Sequence, residues 1–83
     1  MVTKIFAIHD DKAQCFSNPF FLPHRGLAIR NFSDLVVDPQ SNVSKHPSDF
    51  KLYQIGEYDD CSGGLSPLAQ PEFIATASDF LNK

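Results

Sequence analysis

Two apolar stretches of the chain have the length and composition of β-strands. Residues 4–9 hold Ile-Phe-Ala-Ile between charged neighbours, and a continuous apolar run of this length is typical of a strand covered on both faces. Residues 47–64 read Pro-Ser-Asp-Phe-Lys-Leu-Tyr-Gln-Ile-Gly-Glu-Tyr-Asp-Asp-Cys-Ser-Gly-Gly, in which aromatic and β-branched residues precede a cluster of turn formers. This stretch predicts the first half of a β-hairpin in the middle of a sheet. Gly56 inside it indicates a bulge or a close backbone approach.

One helix is predicted between these strands, at residues 27–38. Four apolar side chains recur there at spacings of three and four, the period of one helical face: Ile29, Phe32, Leu35 and Val36. The Asp38-Pro39 pair ends this pattern because proline cannot continue a helix. Upstream, residues 13–23 hold four large apolar side chains among two prolines. They predict an irregular loop that either covers the core or forms a binding surface.

The remaining segments predict short elements. Residues 40–46 predict a polar loop with one helical turn capped by Asn42, and residues 65–69 predict a third strand that Pro67 places at an edge or at a bulge. The last segment is open to two interpretations. It forms either a helical stripe or, as we favour, a short strand at 73–75 followed by a helical turn that begins at Thr76 or Ser78.

Together these patterns predict a single α+β domain over residues 1–83. We expect a small three- to four-stranded, mostly antiparallel sheet with one main helix packed on one face. A chain of 83 residues buries only about 60 to 65% of its unfolded surface, which leaves its stability thin. A homodimer would relieve this shortage, and we expect one.

The charge distribution limits the classes of function. The net charge is −3. Residues 1–33 hold four basic and two acidic residues, a net charge of +2, whereas residues 34–83 hold three basic and eight acidic residues, a net charge of −5. The chain is therefore not a general polyanion binder, and any contact with nucleic acid needs a local patch.

No catalytic, metal or cofactor site is predicted. The pairs Asp10-Asp11 and Asp59-Asp60 stand at predicted strand ends, where turn and capping roles are much commoner than metal binding. The histidines and cysteines lack the spacing of zinc motifs, and no serine or cysteine lies in a nucleophile motif. With no signal peptide and no membrane-length apolar run, we expect a reducing cytoplasm, no membrane contact, and free thiols at Cys15 and Cys61.

Candidate nucleic-acid-binding residues lie in and around the apolar loop, where residues 12–33 contain no acid. Cations attract phosphates, and exposed rings stack on unpaired bases at about 1 to 3 kcal/mol each. On these grounds the candidates are Lys12, Phe20, Phe21, His24, Arg25 and Arg30. The alternative is a solvated helix face beside a loop that covers the core, with Arg30 paired to Asp34 one turn on.

Several strings spread over nearly the whole chain carry a family resemblance. They are Lys-Ile-Phe-Ala-Ile at 4–8 leading to Asp-Asp-Lys-Ala at 10–13, Pro-Phe-Phe at 19–21, Arg-Asn-Phe-Ser-Asp-Leu-Val-Val-Asp-Pro at 30–39, Ser-Lys-His-Pro-Ser-Asp-Phe-Lys-Leu-Tyr-Gln-Ile-Gly-Glu-Tyr-Asp at 44–59, Pro-Glu-Phe-Ile-Ala at 71–75 and Asp-Phe-Leu at 79–81. In these strings the chain resembles the small nonstructural protein of gokushovirus-type microviruses, which are single-stranded DNA phages. It departs from that family at 61–64, where Cys-Ser-Gly-Gly stands in place of a more acidic turn.

The resemblance implies a non-enzymatic, non-capsid phage accessory protein in the cytoplasm of an infected bacterium. It implies DNA binding, with single-stranded DNA favoured, in the switch from double-stranded replication to single-stranded genome synthesis. It supplies no catalytic residues. The alternative is a protein–protein adaptor that acts on the phage replication initiator, the scaffold or the host replication machinery, through the acidic second half of the chain and an open sheet edge.

Overall fold

The computed structural model describes residues 1–81, and its elements follow one another closely along the chain. The strands are β1 (Val2–Asp10), β2 (Cys15–Phe16), β3 (Phe20–Leu22), β4 (Phe50–Asp59) and β5 (Gly64–Thr76). The helices are α1 (Arg25–Val37) and α2 (Asn42–Lys45), with 3₁₀ turns at Pro47–Asp49 and Ala77–Phe80. The predicted α+β class with one main helix is confirmed.

All five strands form one antiparallel sheet with β1 and β4 in its centre. The order is β2-β1-β4-β5, and β4 accompanies β1 from Val2 to Asp10. Because β4 occupies one edge of β1 along its whole length, β2 and β3 both pair with the other edge, β2 near one end of β1 and β3 near the middle. The β4–β5 hairpin turns through Gly63, whose φ of 73° suits glycine. The predicted hairpin and the central position of its first strand are therefore confirmed.

The prediction of an irregular loop at residues 13–23 is wrong, because β2 and β3 lie within it. Ser17 connects the two strands to β1: its N–H donates to the Ile8 carbonyl oxygen at 2.7 Å, and its hydroxyl accepts the Ile8 N–H at 3.0 Å. The backbone N–H and carbonyl groups of Ile8 are therefore hydrogen-bonded even though no strand pairs with β1 at this position. Strands of two and three residues are too short to show an alternating pattern, so the sequence does not reveal them.

The hydrophobic core lies between the sheet and α1. Phe6 and Leu52 from the two central strands are fully buried, and Phe32 of α1 is only 1% exposed. The 3₁₀ turn Ala77–Phe80 and α2 join the same cluster, so these two elements pack with α1 on this one face of the sheet.

Helix α1 begins two residues before the predicted start and ends one residue before the predicted end. Its first turn is held by the sheet, since the Arg25 Nε donates to Gln54 Oε1 at 2.9 Å. Arg25 and Gln54 are distant in the chain, so the local sequence pattern could not predict this contact or the earlier helix start that it supports. Asp38 is the C-cap, consistent with the predicted stop before Pro39.

The backbone at Gly56 confirms the predicted close approach. A Cβ atom there would lie 2.8 Å from the Ser66 carbonyl oxygen, and the register of β4 against both β1 and β5 shifts between Gln54 and Gly56. Pro67 lies opposite Gly56 on β5, which is an edge strand as predicted. Residues 68–71 have no partner on β4, so β5 contains two paired stretches, 64–67 and 72–76. The sequence predicts two separate strands here, whereas the structure has a single strand with a bulge between the two paired stretches.

Two caps were predicted near the helical turns, and one of them is confirmed. Thr76 caps the 3₁₀ turn Ala77–Phe80 in a reciprocal arrangement, in which its own N–H donates to Asp79 Oδ2 at 3.0 Å. The Asn42 cap is wrong, because the cap of α2 is Ser41, whose hydroxyl accepts the Ser44 N–H at 3.1 Å. Ser41 also donates to the Leu35 carbonyl oxygen at 2.5 Å, which ties α2 to α1.

The paired aspartates close turns, as predicted. Asp10 Oδ1 accepts the Lys12 and Ala13 N–H groups at 3.0 and 3.3 Å, and Asp59 Oδ1 accepts the Cys61 N–H at 2.9 Å. Cys15 and Cys61 are both free and exposed, which confirms the predicted thiols.

Candidate nucleic-acid interface

The face of the sheet away from α1, which we call the open face, carries aromatic side chains. Along β1, Phe6 and Ile8 pack toward the helix, so the alternating positions Ile5, Ala7 and His9 lie on the open face. Residues opposite these positions on the neighbouring strands share that face. Helices therefore cover one side of the sheet, and on the other side the side chains of the strands themselves form the surface.

Four rings, one from each strand of the β2-β1-β4-β5 path, form a continuous line across the open face. We call this line the aromatic row; its members are Phe16, His9, Tyr53 and Phe73. Ring centroids lie 4.7 Å apart for His9 and Phe16, 5.5 Å for Phe16 and Tyr53, and 5.8 Å for Tyr53 and Phe73. His9 and Tyr53 also meet, with centroids 6.2 Å apart, and all four contacts are edge-to-face, a favoured geometry for aromatic pairs.

The register of the sheet explains why the row is continuous. Tyr53 lies opposite Ala7 on one side and Phe73 on the other, and Phe16 lies opposite His9. Because the Ala7 side chain is a single methyl group, the Tyr53 ring reaches across β1 to Phe16. Ala7 itself is fully buried. The outer members, Phe16 and Phe73, remain 44% and 52% exposed, which leaves ring surface available to a ligand.

A polar group adjoins one end of the row. Asp11 bridges Lys51 Nζ and His9, with the His9 Nδ1 to Asp11 Oδ1 distance at 2.7 Å. The hydrogen bond from Lys51, followed by that with His9, lowers the pKa of Asp11 below its ordinary 3.8, and the bond to Asp11 raises the pKa of Lys51. A depressed carboxyl pKa means that the stability from this group is present above about pH 4 and is lost as pH falls through the lowered value. Lys12 lies exposed in the following turn.

The other end of the open face holds a second pair of aromatic rings. Phe21 and Tyr58 meet edge-to-face there with centroids 5.7 Å apart, and Asp60 and Leu65 line the same hollow. Asp60 is paired with the N-terminal ammonium of Met1 at 2.6 Å, whereas Glu57, paired with Lys4 at 3.7 Å, lies on the helix side of the sheet by strand alternation. The open face therefore has two aromatic groups in different electrostatic surroundings.

The residues predicted to bind nucleic acid do not form one surface. Phe20 lies on the helix side, stacked on Phe6 with centroids 5.9 Å apart, whereas its neighbour Phe21 lies on the open face and is 47% exposed. Lys12 is in the turn after β1, His24 is the N-cap of α1, and Arg30 is exposed on the helix. No ion pair between Arg30 and Asp34 is present in the described chain.

Arg25 is engaged within the protein. Besides its bond to Gln54, its Nη2 lies 2.5 Å from Glu72 Oε1, so the guanidinium joins α1 to β4 and β5. Its charge is balanced locally, which makes it a structural residue as well as a predicted phosphate ligand.

Sequence reasoning missed the residues that the sheet brings together: His9, Lys51, Tyr53 and Phe73. Tyr53 was recognised only as strand-forming. Its spacing of two from Lys51 does indicate a shared face, but the pairing with Phe73, twenty residues away, depends on the bulged register of β5. That register is not visible in a single sequence.

The chain is a small α+β domain in which a helix covers one side of a sheet and aromatic rings line the other. The model of the Phage ORF5 protein family matches residues 3–80, and the chain belongs to this family of phage proteins. Searches of curated proteins and of solved structures returned no match. Among residues 1–81, no helix has the length and apolarity needed to cross a membrane.

Proposed function

We propose that this phage accessory protein binds single-stranded DNA on the aromatic row, without catalysing a reaction. The observation that supports the proposal is the line of four rings across four strands on the side of the sheet that no described helix covers. Exposed rings stack on unpaired bases at about 1 to 3 kcal/mol per base, and paired bases in a duplex offer no such face. The resemblance to gokushovirus-type proteins supports a role in the switch to single-stranded genome synthesis, in the cytoplasm of the infected bacterium.

The spacing of the rings indicates how the DNA lies. Centroids 5.5 and 5.8 Å apart exceed the rise of about 3.4 Å per nucleotide in a stacked strand. A bound strand is therefore extended and crosses the β-strands, with about one base per accessible ring. Two or three bases per sheet is also the number that other four-stranded nucleic-acid-binding sheets accept.

Stacking supplies more of the proposed affinity than charge does. Among residues 1–81, Lys51 lies beside the row, where Asp11 partly neutralises it, and Lys12 is exposed in the turn that follows β1. Because log affinity for single strands falls by about 0.7 per neutralised phosphate for each tenfold rise in salt, two contacts give a slope of about −1.4.

The direct test is a titration of labelled oligothymidylate and of a matched duplex, followed by fluorescence anisotropy at several salt concentrations. We expect the single strand to bind and the duplex to bind much more weakly. Affinity is expected to fall about sevenfold between about 50 and 200 mM salt, as the slope above requires. No binding of the single strand at about 50 mM salt by a folded protein would overturn the proposal.

Removing the carboxylate beside the row is expected to strengthen DNA binding. Asp11→Asn leaves the Lys51 ammonium without its acidic partner, so affinity for the single strand should rise about two- to fivefold, the scale of one surface charge contact. Asp34→Asn, on the exposed surface of α1, is the matched control because it changes the net charge equally. An equal rise in both variants would show that net charge is responsible and that Lys51 does not contact the DNA.

The second candidate function, a protein–protein adaptor, is favoured by one observation. The hollow around Phe21, Tyr58 and Leu65 is largely apolar, and Asp60 at its border is paired with the N-terminal ammonium at 2.6 Å. Such a surface offers no unpaired cation to a phosphate and suits an apolar protein segment. If the single strand does not bind, this function on the phage replication initiator, the scaffold or the host replication machinery becomes the better supported one.

A further inference from the structure

We propose that the outer edge of β5 at residues 72–76 pairs in antiparallel fashion with the same edge of a second copy of this chain. The pairing continues the sheet from one protomer into the other. The pairing would also join the two aromatic rows into one of twice the length, and the consequence of this for DNA binding rests on the function proposed above.

This edge is the longest one left without a partner in the described part of the chain. The opposite side of the sheet ends in β2 and β3, which are only two and three residues long. Very short strands are one of the ways in which proteins avoid pairing at a sheet edge. By contrast, β5 has thirteen residues and no neighbour on its outer side.

Most features that discourage pairing lie in the first part of β5, whereas 72–76 contains one register shift, at Ile74, and one N–H already bonded, that of Thr76 to Asp79 Oδ2. Pro67 and Pro71 each lack an N–H donor, and residues 68–71, which include Pro71, have no partner on β4. The segment 72–76, Glu-Phe-Ile-Ala-Thr, contains no proline, and residues 64–76 contain no lysine or arginine. Edges that must stay single commonly carry lysine or proline, so this segment has the composition of an edge that is paired.

Charge does not oppose the pairing. Glu72 is the one charged residue in β5, and the Arg25 guanidinium of the same protomer lies 2.5 Å from it. The two copies of Glu72 therefore approach the two-fold axis with their charges balanced, and the like-charge repulsion that opposes symmetric strand pairing is reduced.

Symmetry brings the two aromatic rows together. The two-fold axis of an antiparallel strand pair is perpendicular to the sheet, so both open faces lie on the same side. Phe73, at the edge end of the row and 52% exposed, then meets the partner's Phe73 either directly, at about 4.5 to 5.5 Å, or diagonally, at about 7 to 8 Å. Both distances are within reach of aromatic side chains, and the joined row accepts about six nucleotides in place of about three.

The test compares two variants that make the same chemical change at opposite ends of the row. Wild type, Phe73→Lys and Phe16→Lys are examined by analytical ultracentrifugation over a wide concentration range, with circular dichroism to verify folding. We expect dimers for wild type and Phe16→Lys, and a monomer for Phe73→Lys, since only the latter places two ammonium groups at the proposed interface. Amide hydrogen exchange at 72–76 should slow as the wild-type concentration rises.

The possible outcomes separate this inference from the proposed function. A wild-type monomer at every concentration, or a Phe73→Lys dimer as stable as the wild type, overturns the pairing. Single-stranded DNA binding by such a monomer leaves the proposed function intact. A dimer that forms through 72–76 but binds no DNA supports the pairing and overturns the proposed function alone.

Discussion

Replacing Phe16 by alanine and Tyr53 by leucine in the same chain is expected to lower the affinity for single-stranded DNA at least about 30-fold. Each ring contributes about 1 to 3 kcal/mol of stacking, and about 1.36 kcal/mol corresponds to a factor of ten, so the loss of two rings costs at least this much. Phe16 is 44% exposed, and leucine preserves much of the apolar contact of Tyr53. Anisotropy titration with oligothymidylate measures the change.

The open face provides a matched control for this variant. Phe21 and Tyr58 form an edge-to-face pair with a centroid distance of 5.7 Å, against 5.5 Å for Phe16 and Tyr53. Phe21→Ala with Tyr58→Leu therefore removes the same atoms from the other end of the face. We expect it to change the affinity less than threefold, because this pair lies outside the aromatic row and the one carboxylate beside it, Asp60, is paired with the N-terminal ammonium. Equal losses in the two double variants would mean that DNA binding is not localised on the aromatic row.

Phe6→Ala is expected to destabilise the fold by about 3 to 5 kcal/mol. The ring is fully buried, and a Phe to Ala change in a core removes its transfer free energy and leaves a cavity. Native domains have a free energy of unfolding of only about 5 to 15 kcal/mol, so this single change removes a large part of it. Urea unfolding followed by circular dichroism gives the difference.

The comparison for the core variant is Phe16→Ala, the same substitution on the open face. We expect a change in the free energy of unfolding within about 1 kcal/mol, since the Phe16 ring is partly exposed and surface substitutions have small effects. If both variants destabilise equally, the open face is part of the hydrophobic core, and a second copy or another partner covers the rings.

The elements that could be predicted from the sequence are those in which local pattern and tertiary packing agree. In α1, Phe32 and Val36 repeat with the helical period because one face of the helix packs on the sheet. In β4, aromatic and β-branched residues precede a turn-forming cluster, and Gly56 marks a close approach to Ser66 that excludes a side chain. Each of these signals lies within a dozen consecutive residues.

The candidate site could not be predicted in the same way, because it is assembled by register. His9, Phe16, Tyr53 and Phe73 are spread over sixty-five residues and meet only after four strands align. The predicted site treated Phe20 and Phe21 as equivalent, although consecutive residues of a strand point to opposite faces. Once β3 is recognised as a strand, that rule separates the two rings: Phe20 belongs to the core and Phe21 to the open face.

The unpaired residues 68–71 divide β5 into two independently opening units. The hairpin stretch 64–67 and the edge stretch 72–76 are joined by backbone that makes no ladder bonds to β4, so fraying of the hairpin tip need not spread to the strand segment that holds Phe73. Local opening costs less free energy where few buried contacts hold the backbone. A protease is therefore expected to cut first at 68–71, and the nick would leave the aromatic row assembled.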